Sequence, residues 1–252
     1  FRVQDSGGTA NGGVDTDPTP NTITFNVTSV NDGPAGTDTT VTTLEDTQYT
    51  FTTGNFGFTD PNDTPANALL SVTITTLPAT GSLTLNGVAV TAGQSIAVAS
   101  ITGGLLRFTP AANANGLANA SFTFQVRDDG GTANGGVDLD ASPNTMTINV
   151  TAVNDAPAGT NTTITASEDL PYSFTTANFG FTDPNDTPAN ALLSVTITTL
   201  PATGTLTLNG VAVTAGQSVA VASITGGLLR YQGAAGGNGL NYASFTFQVR
   251  DD

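Results

Sequence analysis

The sequence predicts an all-β chain of two tandem antiparallel β-sandwiches, on three observations. The first is a period: residues 1–129 laid over 124–252 are identical at 102 of 129 positions without a gap. Loops match as well as strands. A period this long lies far above the roughly 20–50 residues of solenoid repeats and has the size of a domain, so it signals tandem domains and not one repeat-built core. The second is alternation. Short segments place apolar residues alternately with Thr or Ser, which suits a pleat with one wet face. The third is punctuation by turn signals, of which Asn86-Gly87 between Leu83/Leu85 and Val88/Val90 is the strongest. No segment carries a helical period, and only Ser100–Gly103 allows a single turn.

Taken in order, residues 1–30 read as the closing hairpin of a preceding repeat. Phe1 aligns with Phe124 and Phe247 in mid-strand, Ser6–Asn21 is a Gly-, Asp- and Pro-rich loop, and Thr22–Thr28 alternates strictly as a half-buried strand. Residues 31–153 read as a complete sandwich. Its strand candidates are Thr39–Leu44, Gln48–Thr52, Leu69–Leu77, Ser82–Leu85, Val88–Val90, Ile96–Ala99, Leu105–Thr109, Ser121–Arg127 and Thr145–Val153. Many short strands with regular turn signals argue an immunoglobulin-like arrangement. Residues 154–252 read as a second copy without the counterpart of Thr145–Val153. Phe56, Phe58, Phe122 and Phe124 read as core or strand-edge residues. Arg107 and Arg230 recur with the period and are expected to pair with acidic neighbours. The sequons at Asn26 and Asn149 fall in strands and are discounted.

Composition excludes several function classes. The chain has 252 residues, 38% of them hydrophobic, enough to fill real cores. It has no Lys, His, Trp or Cys, and its net charge is −15. A chain this acidic is not expected to bind nucleic acid or an anionic membrane, since both require basic patches. No apolar run approaches the ~18 residues of a membrane span, and no signal peptide is present, so the reading is an internal window of a longer, extracellular, cell-surface chain. Large surface proteins often lack disulfides, and calcium can serve as the staple instead. An enzyme is not expected. There is no His to act as base, no Lys or Cys nucleophile, and only two Glu, one per copy.

The acidic residues are not scattered. They gather at Glu45-Asp46, at Asp60-Pro61-Asn62-Asp63 with Asn67, at Asp128-Asp129 and at Asp138/Asp140, and Asp155 of the linker joins them. Asp and Asn also make turns and cap strands. For Asp138 and Asp140 the two readings stand side by side. For the Asp60 group calcium is favoured, because like charges gathered at a domain end cost stability unless a cation neutralises them. The linker Thr151-Ala152-Val153-Asn154-Asp155-Ala156-Pro157 repeats Thr28-Ser29-Val30-Asn31-Asp32-Gly33-Pro34. It offers hard oxygen ligands between two bodies, and its proline stiffens the entry to the next unit.

Several of these stretches carry a family resemblance. Phe58–Leu69 resembles the calcium segment of cadherins, although Asp63 is displaced by one residue. Arg127-Asp128-Asp129-Gly130 resembles the segment before the last cadherin strand. Val150–Pro157 is similar to the cadherin linker, with Ala152 and Ala156 replacing an Asp and an Asn. Leu77–Gly87, continuing to Gly104–Pro110, resembles the cadherin-like repeats of chondroitin sulfate proteoglycan type, found in very large bacterial surface proteins and adhesins. The likeness implies a calcium junction that takes Glu45 from the first copy, Asn154 and Asp155 from the linker, and Asp183, Asp186, Asn190 and Asp251 from the second copy. Asn31, Asp32, Asp60, Asp63, Asn67 and Asp128 are the equivalents one repeat earlier. The replaced ligands imply fewer ions per junction than in cadherins.

Two function classes follow as expectations. One is a structural module of an extracellular fibre, stalk or giant adhesin, stiffened by Ca2+ and arrayed or filamentous with neighbouring copies of itself. The other is an adhesion module that binds surface glycans or cells through the loop 130–144. Near-identical copies favour the first, although multivalent weak binding also rewards repetition. The residues at the two ends further imply that Thr22–Val30 of one unit occupies the place left open in residues 154–252 of another, either in one continuous covalent array or between separate chains.

Overall fold

A computed structural model describes residues 1–252. The first copy contains β1 (Thr39–Leu44), β2 (Tyr49–Thr50), β3 (Leu69–Ile74), β4 (Ser82–Leu85), β5 (Val88–Ala89), β6 (Ser95–Ala97), the short helix α1 (Val98–Thr102), β7 (Leu106–Thr109), β8 (Gly116–Asp128) and β9 (Asn144–Thr151). The second contains β10 (Tyr172–Ser173), β11 (Leu192–Ile197), β12 (Thr205–Leu208), β13 (Val211–Ala212), β14 (Gln217–Ala220), α2 (Val221–Thr225), β15 (Leu229–Gln232) and β16 (Phe247–Asp251). The all-β class and the tandem immunoglobulin-like sandwiches are as expected. No helix is long and apolar enough to cross a membrane.

Two sheets face each other in the first copy, ordered β1-β9-β8-β3-β6 and β2-β7-β4-β5. The alternation places every second residue of β8 inside. Phe122, Phe124 and Val126 are fully buried, as are Met146 and Ile148 of β9. Phe51 meets Phe122 edge-on at 5.6 Å, and Phe56 meets Phe124 at 4.9 Å. Such T-shaped pairs add to what area burial alone contributes. The Asn86-Gly87 hairpin forms with both residues at positive φ, 49° and 79°, and pairs Leu85 with Val88. At Gly81, with φ +72°, a Cβ would lie 2.5 Å from Phe108 Cζ and 2.6 Å from the Thr109 carbonyl, so only glycine fits the Leu-Pro-x-x-Gly turn.

Several details differ from the sequence reading. β1 pairs with β9 in parallel, from Thr39↔Met146 to Leu44↔Thr151, so the sandwich is antiparallel except at this edge. The strand expected at Ile96–Ala99 yields at Val98 to α1, in which the Thr102 hydroxyl donates to the Val98 carbonyl at 3.1 Å. A 3-10 turn at Thr53–Phe56, closed by a Thr52/Asn55 capping box, lies outside the expected elements. Arg107 does not pair with an acid. Its Nε donates to the Gly104 carbonyl at 2.8 Å and its Nη1 to Gln48 at 3.2 Å, and Arg230 likewise bonds to Gly227. Both arginines sit on the strand that follows a short helix and bond to a carbonyl of the turn that connects the two.

Thr22–Thr28, read as a half-buried strand, forms none. Ile23, Phe25 and Val27 are 62%, 84% and 92% exposed. Its equivalent β9 is held by β8 over Gly116–Phe124, and within this chain only Phe124 onward of that strand has a counterpart before residue 22. A strand without a ladder partner leaves its N–H and C=O groups to water. The hairpin expected over residues 1–30 is not formed with Thr22–Thr28; Phe1–Asp5 instead bonds to the stretch read as loop, through Asp5 N–H to Asp15 O, Asp17 N–H to Val3 O and Asn21 N–H to Phe1 O.

The second copy has the sheets β10-β15-β12-β13 and β14-β11-β16, and no strand in the position of β9. Residues 162–167, equivalent to β1, carry no strand either. Phe245, Phe247 and Val249 are therefore only partly buried, where their equivalents Phe122, Phe124 and Val126 are enclosed.

Candidate metal centre

The junction between the copies is built from three segments. Glu45 follows β1, and its N–H donates to the Thr151 carbonyl at 2.9 Å, extending the parallel β1–β9 ladder. This turns its side chain back on the linker, where Oε1 accepts from the Val153 N–H and Oε2 from Asn115 at 3.3 Å. The linker is then pinned to the second copy. Ala158 and Thr182 exchange two backbone hydrogen bonds of 2.8 Å, and the Asp155 N–H donates to Asp186 Oδ2 at 3.1 Å. The Asp183–Asn190 turn is closed on itself by the Asn190 N–H, which donates to Asp183 Oδ2 at 2.5 Å.

Two groups of carboxylates result, each with oxygens within 4.8 Å of one another. The first is Glu45, Asp155 and Asp186; the second is Asp183, Asp186 and Asp251. Asp186 belongs to both, so the groups are continuous. Glu45, Asp183, Asp186 and Asp251 are at least nine-tenths buried. Asp155 Oδ2, Asp183 Oδ1 and Asp251 Oδ2 are buried with no hydrogen-bond partner. The chain's single ion pair, Arg127–Asp138 at 3.6 Å, lies elsewhere. Burial raises the pKa of Asp186 above its ordinary 3.8, and the neighbouring charges of Asp183 and Asp155 raise it further, against the lowering effect of the Asp155 N–H. Buried carboxylates without a cation or donor are costly to a fold. This donor set is all oxygen and formally anionic, which suits a hard divalent cation and not a soft one. The residues present therefore fit such an ion.

Asn154 and Asn190 serve here as braces. Asn190 Nδ2 donates to Asn154 Oδ1 and, at 3.1 Å, to the Asp252 carbonyl, while Asn154 Nδ2 reaches Asp251 Oδ1 at 3.4 Å. Asp252, absent from the expected set, accepts from the Ala191 N–H at 2.8 Å. Its signal was the second acid of the Asp128-Asp129 doublet, since Asp129 accepts from Ala68 in the same way.

One repeat earlier the scaffold recurs. Asp32 N–H donates to Asp63 at 2.9 Å, Asn67 N–H to Asp60 at 2.5 Å, Asn31 Nδ2 to Asp128 at 3.1 Å, and Asn67 Nδ2 to Asn31. Asp60 Oδ1 and Asp128 Oδ2 are again buried and unpaired. The side-chain ends of Asn31 and Asn67 crowd Gly130, so a Cβ there would have to displace them. Three carboxylates do not converge at this end. Asp138 and Asp140 act as turn and hairpin residues. Asp138 pairs with Arg127, and Asp140 accepts from Gly36, Ser142 and Asn144 at 2.9, 3.1 and 2.7 Å.

Among curated proteins, none matches this chain. Residues 31–140, most of the first copy, match the family model described as bacterial Ig domain, so this part of the chain is similar to that family.

Proposed function

We propose that this chain is a structural repeat module of an extracellular fibre, stalk or giant adhesin, stiffened by calcium at the junction between copies and arrayed end to end with its neighbours. The observation that carries this reading is the junction itself. Glu45 of one sandwich, Asp155 of the linker and Asp186 of the next bring carboxylate oxygens within 4.8 Å of one another. A calcium ion held there would supply positive charge shared by all three segments. The chain's own contribution is orientation. Glu45 is fixed to the linker through Val153, and the linker to the second copy through Asp186 and Thr182, so the carboxylates arrive from segments already pinned. With the acids neutralised, the preferred angle between the two sandwiches would be held more tightly. The cadherin-like subtype belongs to this proposal as well, since it rests on the acidic motifs and the linker.

Calorimetric titration of calcium into the whole chain tests the reading. Saturable binding that is lost in Glu45→Gln supports a junction site. No binding, or binding that Glu45→Gln leaves unchanged, contradicts it. The adhesion reading has narrower support. The loop 130–144 exposes its tip, Thr132–Gly135, but its base is tied down by Asn31, which bonds to Val137 through both backbone and side chain.

A further inference from the structure

The chain enters the first copy through β1 and leaves it through β9, and these two strands lie side by side. They pair in parallel, from Thr39↔Met146 to Leu44↔Thr151. Every other ladder in the chain is antiparallel. The pairing runs one residue further, since the Glu45 N–H donates to the Thr151 carbonyl at 2.9 Å. β1 stands at the edge of its sheet, so β9 is its only strand partner. On the inner face Val41, Met146, Ile148 and Val150 are buried in one core. We propose that this pair is a shear clamp, through which the first copy resists tension applied along the chain.

Direction decides how the pair fails. Tension from the preceding linker reaches β1 at Thr39, and tension from the following linker reaches β9 at Thr151. In a parallel pair those two residues lie at opposite ends of the ladder. All of its rungs are then loaded together. The strands part only by sliding, which breaks the rungs at once and drags Val41, Met146 and Ile148 through the core. In an antiparallel pair both loaded residues would sit at one end, and the rungs would open singly, each under the whole load. The contacts ahead of β1 are fewer and scattered. Ala35 and Thr59 exchange two backbone bonds of 2.8 Å, the Thr37 N–H donates to the Phe56 carbonyl at 3.4 Å, and the Thr39 hydroxyl donates to the Asn55 carbonyl at 2.6 Å. They give way in turn, so the clamp sets the force. At the exit Glu45 Oε1 accepts from the Val153 N–H and ties the following linker back to the end of β1. Forced unfolding is governed by the unfolding rate, so a rupture force reports the clamp where a melting temperature does not. That the protein meets such tension rests on the reading of the chain as an element of a fibre or stalk; the direction of its resistance rests on the ladder alone.

Single-molecule stretching of the whole chain, in chelator, is the test. The chain has no cysteine, so handles attach uniquely to introduced pairs. One variant carries Thr28→Cys and Ala152→Cys, the other Thr28→Cys and Ser142→Cys, all at exposed positions. The first variant pulls β1 and β9 from opposite ends of their ladder. The second pulls both from the end where they begin, since Ser142 lies just before β9. The contacts of Ala35 and Thr37 are loaded in both variants, so the difference between the two forces reads the β1–β9 pair. The first variant should rupture at a several-fold higher force than the second. Equal forces would overturn the clamp, as would a higher force for the second variant. Urea midpoints of the two variants separate direction from stability, and a force difference that only followed a midpoint difference would also overturn it. The junction carries no load in either variant, so failure of the calcium reading leaves these outcomes unchanged. Failure of the clamp would leave a calcium-stiffened stalk that resists tension by other contacts.

Discussion

Glu45 and Asp186, on different sandwiches, hold carboxylate oxygens within 4.8 Å of each other, and the linker residue Asp155 stands with them. Two like charges placed so by separate folding units repel unless something is shared between them. Asp183 adds a buried oxygen without a partner to the same site. A ligand present at about 100 times its Kd stabilises the folded state by roughly 2.7 kcal/mol. Thermal melts in calcium and in chelator should therefore differ by several degrees for wild type, by far less for Asp183→Ala, and as in wild type for Asn161→Ala, which lies outside the cluster. Equal shifts for the two variants would count against the assignment.

The metal-free junction should titrate abnormally. Burial first, then the charges of Asp183 and Asp155, raises the Asp186 pKa above 3.8. The folded state then holds this proton more tightly than the unfolded chain does. Its contribution to stability is fully present below 3.8 and is lost as pH rises through the raised folded value. A carboxyl-carbon NMR titration in chelator should place the Asp186 midpoint above the ordinary value, and Asp183→Asn should bring it down. A midpoint at or below 3.8 in the wild type would refute the electrostatic description.

The two copies should respond unequally to the same truncation. Phe122 is 1% exposed and sandwiched between Phe51 and β9, whereas its equivalent Phe245 is only partly covered. Phe122→Ala should destabilise the first copy by about 3–5 kcal/mol, and Phe245→Ala should cost the second copy clearly less. Hydrogen exchange at Val126 and Val249 reads the copies separately. Equal costs would mean that the second core is as closed as the first.

Gly81→Ala tests the turn before β4. A Cβ there meets Phe108 and the Thr109 carbonyl at 2.5 and 2.6 Å, at a φ of +72°. A non-glycine residue in that region costs on the order of 1–3 kcal/mol before the clash is counted. Urea unfolding should show at least that loss, whereas Gly87→Ala, with open space around it, should lose only the conformational part.

Much of this architecture was legible because the alternation of Leu83/Leu85 or Phe122/Phe124/Val126 reports one buried face directly, and because Asn86-Gly87 has few other uses. The parallel β1–β9 edge was not legible, since Thr39–Leu44 alternates identically whichever way its partner runs. Val98 opens a helix although its neighbours Ile96 and Ala97 are in a strand, because tertiary packing of Ile101 overrides a weak local preference. Thr22–Thr28 shows the converse: its pattern is that of a strand, but pairing is supplied from outside the segment. At the junction, the acidic positions were evident from their clustering. Which oxygens would be left unpaired, and which of Asn154, Asn190 and Asp252 would brace the others, depended on hydrogen bonds that cross more than 30 residues, such as Asn190 to Asn154 at a separation of 36.

The proposed role of calcium is to hold the two sandwiches at a fixed angle. The chain has no cysteine, so spin labels can be placed uniquely at Ala92→Cys and Ala215→Cys, equivalent exposed loop positions on the two copies. The distribution of distances between them, measured by pulsed electron resonance, should be narrow in calcium and broad in chelator, and should stay broad in calcium when Glu45→Gln and Asp186→Asn are introduced. Identical distributions in calcium and in chelator for the wild type would contradict it.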